Sequence, residues 1–303
     1  MILALRALGL GDLVTAVPAL RGLRAAFPDE PLALAAPAGL APLIDLIGGV
    51  SATVPTEGLT ARPWDLPRLD IAVNLHGRGP QSHRLLRSAG PGKLWAFANA
   101  GVGHLDGPDW NDDEHEVRRW CRLLRHYGIP ADESDLALAV PGLEAPRGAT
   151  IIHPGAKSPT RRWPPDRFAA VARRLRADGH HVLVTASADE RPLAARVAAD
   201  AGLGAQAVVT TSLAELAALV AHARLLISGD TGIAHLASAY ATPSVTLFGP
   251  MSPARWGPPD RPYHRPLWHG IRSEPGDRPG PSHPALLAIG AEEVLAAAAA
   301  ALG

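Results

Sequence analysis

Leu225-Leu226-Ile227 is an apolar run that stops at Ser228-Gly229-Asp230-Thr231-Gly232. Ile233 to Ala239 then continues with helical spacing into a second apolar run, Val245-Thr246-Leu247-Phe248. This reads as strand, Gly/Asp turn, helix, strand, and it constrains the chain toward an α/β sheet. A small-residue turn that opens a helix presents unpaired backbone N–H groups and the positive end of the helix dipole. That is a seat for phosphate, and it points to a ligand carrying a diphosphate. The plainer alternative is that Asp230 or Thr231 only caps the helix. Asp-Thr-Gly also spells the aspartic-protease triplet, but that chemistry needs two facing carboxylates, and the chain has one such triplet.

The same alternation runs through the whole chain. Strands are expected at Ile2–Arg6, Leu32–Ala36, Ala52–Val54 and Leu69–Leu75, and helices at Leu13–Ala26, Ala38–Ile47, Pro80–Ala89 and His115–Tyr127. Gly9-Leu10-Gly11-Asp12 is expected as a turn, and Pro18 makes the first turn of the helix after it irregular. Pro141 to Gly148 reads as a linker. Beyond it come strands at Thr150–His153, His181–Thr185 and Ala207–Thr210 and helices at Pro165–Asp178, Glu190–Ala201 and Leu213–Ala221. The unit described first follows, then a Pro-rich stretch, Pro250 to Pro284, expected to be mostly loop, and a last helix over Ala291–Leu302. Two doubly wound α/β domains, 1–145 and 146–303, are expected to flank a cleft, with ligands beyond the carboxyl ends of the strands.

A length of 303 residues suits two domains, and 47% hydrophobic residues suffice for two cores. Lys+Arg and Asp+Glu each total 29, so no basic surface argues for nucleic acid. One cysteine, Cys121, excludes an intrachain disulfide and a cysteine-based zinc cluster. The thirteen histidines show no metal-ligand spacing, so no metal is expected. Met1 to Arg6 reads as a buried strand rather than a signal peptide, no apolar stretch reaches transmembrane length, and the cytoplasm is the expected compartment.

Three further segments can carry chemistry. Asp12 closes the first strand-turn, where Gly9 and Gly11 allow close approach. It reads either as a general base or substrate anchor, or as the N-cap of the following helix. The turn lacks the third glycine of a dinucleotide fingerprint, which disfavours a Rossmann oxidoreductase. His153 to Pro164 gathers Lys157, Arg161 and Arg162 into one loop, able to offset a diphosphate or to stand solvated at the surface. Trp163 before Pro164 favours an ordered loop. Glu190 reads as a ribose acceptor or, with Asp189, as a favourable charge at a helix start. His235, one turn into its helix, reads as a ligand contact or as a satisfied buried histidine.

Taken together and in order, these segments resemble the family 9 glycosyltransferases, the group that includes the ADP-heptose:lipopolysaccharide heptosyltransferases. The residues that carry the resemblance are Ile2 to Asp12 with Val17-Pro18-Ala19-Leu20, His153-Pro154-Gly155-Ala156 through Arg162-Trp163-Pro164, Ser228 to Gly232 through His235-Leu236, and Leu247-Phe248-Gly249-Pro250, with weaker echoes at His115-Glu116-Val117 and Ile289 to Val294. The resemblance covers nearly the whole chain and is thinnest at 50–114 and 255–285. It implies a GT-B fold, acceptor on the first domain, nucleotide-sugar on the second, and inverting transfer without metal or other cofactor. Asp12 matches the family's catalytic base. Lys157, Arg161, Glu190, Asp230, Thr231, Gly232 and His235 fall on the donor side, Arg161 standing where the family usually has lysine. Gly11, His76 and Arg78 are the acceptor-side candidates.

The function so implied is transfer of a sugar, expected to be heptose, from a nucleoside-diphosphate donor, expected to be ADP-linked, to a hydroxyl of a glycan or small molecule. A monomer is expected, compatible with peripheral contact at the inner membrane face. The rival readings are a non-catalytic nucleotide-sugar binding protein and a nucleotide-sugar epimerase or hydrolase on the same fold.

Overall fold

The computed structural model describes residues 1–59, 64, 66–274 and 280–303. It divides into two units, Met1–Ala139 and Val140–Gly303, ahead of the expected change at 145.

The first unit runs β1 (Ile2–Leu5), α1 (Leu10–Thr15), α2 (Val17–Ala26), β2 (Leu32–Ala36), α3 (Ala41–Ile47), β3 (Ala52–Pro55), β4 (Ile71–Asn74), α4 (Gln81–Ser88), β5 (Lys93–Trp95) and α5 (Glu116–His126). Its sheet has the order β3-β2-β1-β4-β5, with every pairing parallel. β1 lies in the middle and is buried along its length, which is why it reads as an unbroken apolar run. Ile2 lies level with both Leu32 and Ile71.

The expected turn at Gly9–Asp12 is in fact the first turn of α1, which starts at Leu10 rather than Leu13. Gly9 is the N-cap, and Asp12 stands at the third helical position, so the reading of Asp12 as the cap is corrected. The single helix expected over 13–26 is two, parted at Ala16. Pro18 causes the break: its ring cannot sit inside a helix but suits a first turn, where its missing N–H is not needed. α5 buries Val117, Trp120, Cys121 and Leu124 as its spacing predicts, and burial pushes the Cys121 thiol up to about 12, leaving it inert.

The second unit runs β6 (Thr150–His153), α6 (Pro165–Ala177), β7 (Val182–Ala186), α7 (Arg191–Asp200), β8 (Val208–Thr210), α8 (Leu213–Ala221), β9 (Leu225–Gly229), α9 (Gly232–Ala239), β10 (Ser244–Leu247), α10 (Pro253–Trp256), β11 (His264–Leu267), α11 (Pro284–Leu287) and α12 (Ala291–Leu302). Its order, β11-β10-β9-β6-β7-β8, is the doubly wound order of a dinucleotide fold, again wholly parallel. The Pro-rich stretch is less irregular than expected, since it contains α10, β11 and the start of α11; its residues 275–279 lie outside the described residues. Pro266 is tolerated in β11 because that strand is at the sheet edge. Trp163 is buried edge-on against Phe168, with ring centroids 4.9 Å apart, and donates from Nε1 to the Ile289 carbonyl at 3.1 Å. It ties the loop after β6 to the core, as an ordered loop requires. Among the described residues no helix is long and apolar enough to cross a membrane.

Each sheet has one switch point, β1/β4 in the first unit and β6/β9 in the second, where neighbouring strands send their crossovers to opposite sides.

Burial holds several histidines neutral. His264 on β11 shares a 2.8 Å hydrogen bond with Ser244 Oγ, and burial lowers it to about 4. His83, His104 and His180 are lowered in the same direction by burial. In the unfolded chain such groups bind a proton near pH 6.5, before the folded protein does. The unfolded state therefore holds more protons between about 4 and 6.5, and stability falls as pH falls through that window. Melting temperature should drop between pH 7 and pH 5, and His264→Gln should show a shallower drop; equal slopes would remove His264 from this account.

Candidate active site

At the switch point of the first sheet, the chain leaves β1 through Arg6, whose guanidinium is wholly buried. A buried charge must be compensated. Arg6 donates from Nε to the Asp12 carbonyl at 2.9 Å and from Nη1 to the Leu75 carbonyl, which joins the loop after β1 to the loop after β4. Its Nη2 reaches Glu116 Oε1 at 3.0 Å, Thr15 Oγ1 at 3.1 Å and Asp12 Oδ1 at 3.4 Å. The Trp120 ring lies beneath it, 4.5 Å from Cζ to the centroid. Asp12 also accepts from the Gly9 N–H at 3.2 Å, the one half of a capping box that a glycine N-cap can make. The Asp12 side chain keeps 27% exposure, against 6% for Glu116.

His76 follows β4. Its backbone N–H donates to Asn74 Oδ1 at 3.1 Å, while its ring Nδ1 is buried with no hydrogen-bond partner. Burial, with Arg6 nearby, lowers it to about 4 against the opposing pull of Asp12, so it is neutral at ordinary pH. Asp12, Gly11 and His76 thus gather at one switch point. Arg78, two residues further along the same loop, is exposed and pairs with Asp112 at 3.5 Å.

In the second unit, His153 at the end of β6 lies level with Ser228 of β9. The loops that follow, Pro154–Arg162 and Asp230–Thr231, therefore leave the sheet side by side. Arg161 Nη1 meets Asp230 Oδ2 at 3.3 Å, and the Asp230 side chain is only 5% exposed. Thr231 is the N-cap of α9, yet its side chain makes no capping bond, and its buried Oγ1 has no hydrogen-bond partner. The first N–H groups of α9, from Gly232 onward, open here. His235 is buried one turn along, its ring edge-on to Trp256 at 6.0 Å.

Glu190 occupies the N-cap position of α7 without a side-chain capping bond. Its carboxylate instead accepts from Ser187 Oγ at 3.0 Å and pairs with Arg162 Nη2 at 3.5 Å. It also lies over the Gly155 Cα so closely that a Cβ there would come within 2.3 Å of Oε2. Burial lowers His153, whose Nδ1 shares a 3.0 Å hydrogen bond with Thr185 Oγ1. Of the three cations in the loop, Arg161 and Arg162 thus face carboxylates, and Lys157 is exposed. Among the described residues no group of three or more His, Cys, Asp or Glu side chains is placed to hold a metal ion.

Sequence reasoning does not reach Arg6 and Glu116 as site residues. Arg6 carries a signal, a charge closing an apolar strand just before a glycine turn. Glu116, 110 positions away, carries none that identifies its partner.

The chain is similar to known proteins in sequence and fold. The model of glycosyltransferase family 9 (heptosyltransferase) matches residues 109–268. Lipopolysaccharide heptosyltransferase 1 of Pseudomonas aeruginosa is 40% identical over 153 residues, 48% of this chain and 42% of that protein. Lipopolysaccharide heptosyltransferase 3 of Escherichia coli is 35% identical over 114 residues, 36% of this chain and 33% of that protein. The chain thus spans less than half the length of these curated relatives. The structure of Escherichia coli ADP-heptose lipopolysaccharide heptosyltransferase II superposes with a TM-score of 0.79 at 22% identity, over 99% of this chain and 98% of that one. The fold is of the GT-B type, two Rossmann-like domains in one chain, and with the family model matching more than half of its 303 residues the protein belongs to glycosyltransferase family 9.

Proposed function

We propose that this protein transfers heptose from ADP-heptose to a hydroxyl of a lipopolysaccharide-type glycan, with inversion and without a metal ion. The observation that carries the reading is the donor-side cluster at the β6/β9 switch point: the Arg161–Asp230 pair, the unpartnered Thr231 hydroxyl and the opening of α9, all inside the family-matched segment. A hydroxyl and a set of helix-terminal N–H groups in one place suit a diphosphate. The donor and acceptor chemistry is taken from the relatives' names. In this reading the acceptor oxygen bonds to the anomeric carbon as its proton passes to Asp12, while the bond from that carbon to the diphosphate oxygen breaks. The departing charge falls on α9, Thr231 and Arg161, with Lys157 at the rim, and Glu190 and His235 orient the rest of the nucleotide-sugar. Gly11, His76 and Arg78 serve the acceptor. We place this chemistry in the cytoplasm, carried out by a monomer at the inner membrane face, where a lipid-anchored glycan is presented.

The reading is tested by following ADP release and heptose transfer to heptose-deficient lipopolysaccharide, with ADP-, GDP-, UDP- and dTDP-sugars compared as donors. Asp12→Asn should lower turnover by about 10²–10⁴ while ADP affinity and the fold persist; a variant that keeps most of its activity would show that the base lies elsewhere.

Transfer should be unchanged in EDTA, because cations and helix N–H groups supply the positive field that a metal would otherwise supply. Inactivation by EDTA with recovery on adding Mg²⁺ or Mn²⁺ would contradict the mechanism.

Gly232→Val should weaken ADP binding by more than the loss of one hydrogen bond, about 0.5–1.5 kcal/mol, because a side chain at the mouth of α9 keeps the phosphate away. Arg161→Ala should weaken it as well, by leaving Asp230 without this cation opposite the phosphate, and that loss should shrink as salt rises. Calorimetry at low and high salt separates the two, and an unchanged affinity in folded Gly232→Val would take the diphosphate off this helix.

A further inference from the structure

Two carboxylates compete for one buried cation at the first switch point. Arg6 Nη2 lies 3.0 Å from Glu116 Oε1 and 3.4 Å from Asp12 Oδ1, and these are its only ion-pair partners among the described residues. Glu116 cannot drift. Trp120 Nε1 donates to its Oε1 at 3.0 Å, and Arg119 donates to its Oε2. Arg119 is itself pinned, donating to the Asn111 and Glu114 carbonyls at 2.9 Å each, with its guanidinium 4.3 Å over the Trp110 ring. A charge-assisted hydrogen bond closes to about 2.7–2.9 Å when nothing opposes it. The Arg6–Asp12 contact is longer, and Glu116 takes the shorter contact to the same nitrogen, Nη2.

We propose that Glu116 is a positioning residue for Asp12: by competing for the same Arg6 Nη2, it keeps that guanidinium from closing on the Asp12 carboxylate, which stays available to take a proton. The inference rests on the reading of Asp12 as the base. The charged and titratable groups that face Asp12 are Arg6 from the end of β1, His76 from the loop after β4, and Glu116 with Arg119 from α5. His76 is neutral down to about 4, so above that pH the balance is set by the two arginines and Glu116.

The test is Glu116→Gln in the full chain, which keeps a hydrogen-bonding side chain and removes its charge. A crystal structure should show the Arg6–Asp12 contact contracted to about 2.8 Å. Turnover with ADP-heptose and heptose-deficient lipopolysaccharide should fall about tenfold, ADP affinity should hold, and the acidic limb of the pH–rate profile should move about one unit lower. Should Glu116→Gln fail to fold, Glu116→Asp carries the same test, since it withdraws the carboxylate from Arg6 by one methylene and gives a smaller change in the same direction. A folded variant with the Arg6–Asp12 separation and the acidic limb both unmoved overturns the proposal. Asp12→Asn separates the two failures: if it still transfers heptose, the base has been misassigned, while the Arg6–Asp12 distance in the Glu116 variants still reports the competition.

Discussion

Parallel strand pairing is the constraint from which the rest of this structure follows. Every pairing in both sheets is parallel, so each strand must be followed by a crossover that returns to the starting edge. All loops that follow strands then leave from one edge. At β1/β4 and β6/β9 the crossovers part to opposite sides, and two loops leave the sheet next to each other. Register completes the placement. Leu5 lies level with Asn74, so Arg6 can reach the Leu75 carbonyl, and His153 lies level with Ser228, so Arg161 can reach Asp230. The candidate residues are scattered over more than two hundred positions of sequence, yet within each unit they meet where the topology leaves room.

What can be read from sequence follows from the same pairing. Strands covered on both faces are continuous apolar runs, and β1, β2, β6 and β9 are legible for that reason. The edge strands β5 and β11 escape notice, since Lys93-Leu94-Trp95 and His264-Arg265-Pro266-Leu267 are short and mixed in polarity. The Gly/Asp turn at 228–232 is legible because a phosphate seat is built from local backbone, and local backbone is written in consecutive residues. The ion pairs are not. Arg6 announces an unmet charge at the end of an apolar run, but its partner Glu116 comes from a helix on the far side of the sheet sequence. Asp12 lies at a helix start, as its sequence suggests, but at the third helical position, because Gly9 rather than the carboxylate is the N-cap.

Ion pairs at these positions do little for folding. A buried pair loses hydration on both partners, and apolar residues of similar volume commonly do as well or better. Arg6–Glu116 and Arg161–Asp230 nonetheless occur at the two switch points, one per sheet. In the proposed function their worth lies in fixing charge in oriented places at the sheet edge, in a medium of lower dielectric than water.

The second pair also bears on why arginine stands at 161, where the family resemblance leads one to expect lysine. An ammonium is a compact point charge on a flexible stem, and a nearby carboxylate competes with any anionic ligand for the whole of it. A guanidinium offers five N–H donors in a rigid fork, more than one carboxylate can use. With Asp230 buried at 5% exposure and fixed against Nη1, the fork is held in one orientation. In the proposed function that orientation matters beside the charge, because Asp230 offsets part of the charge of Arg161. Directed donors then add to the attraction for a diphosphate: the oriented guanidinium, the hydroxyl of Thr231 and the opening N–H groups of α9. In that reading a diphosphate is held by the direction of its donors as well as by their charge.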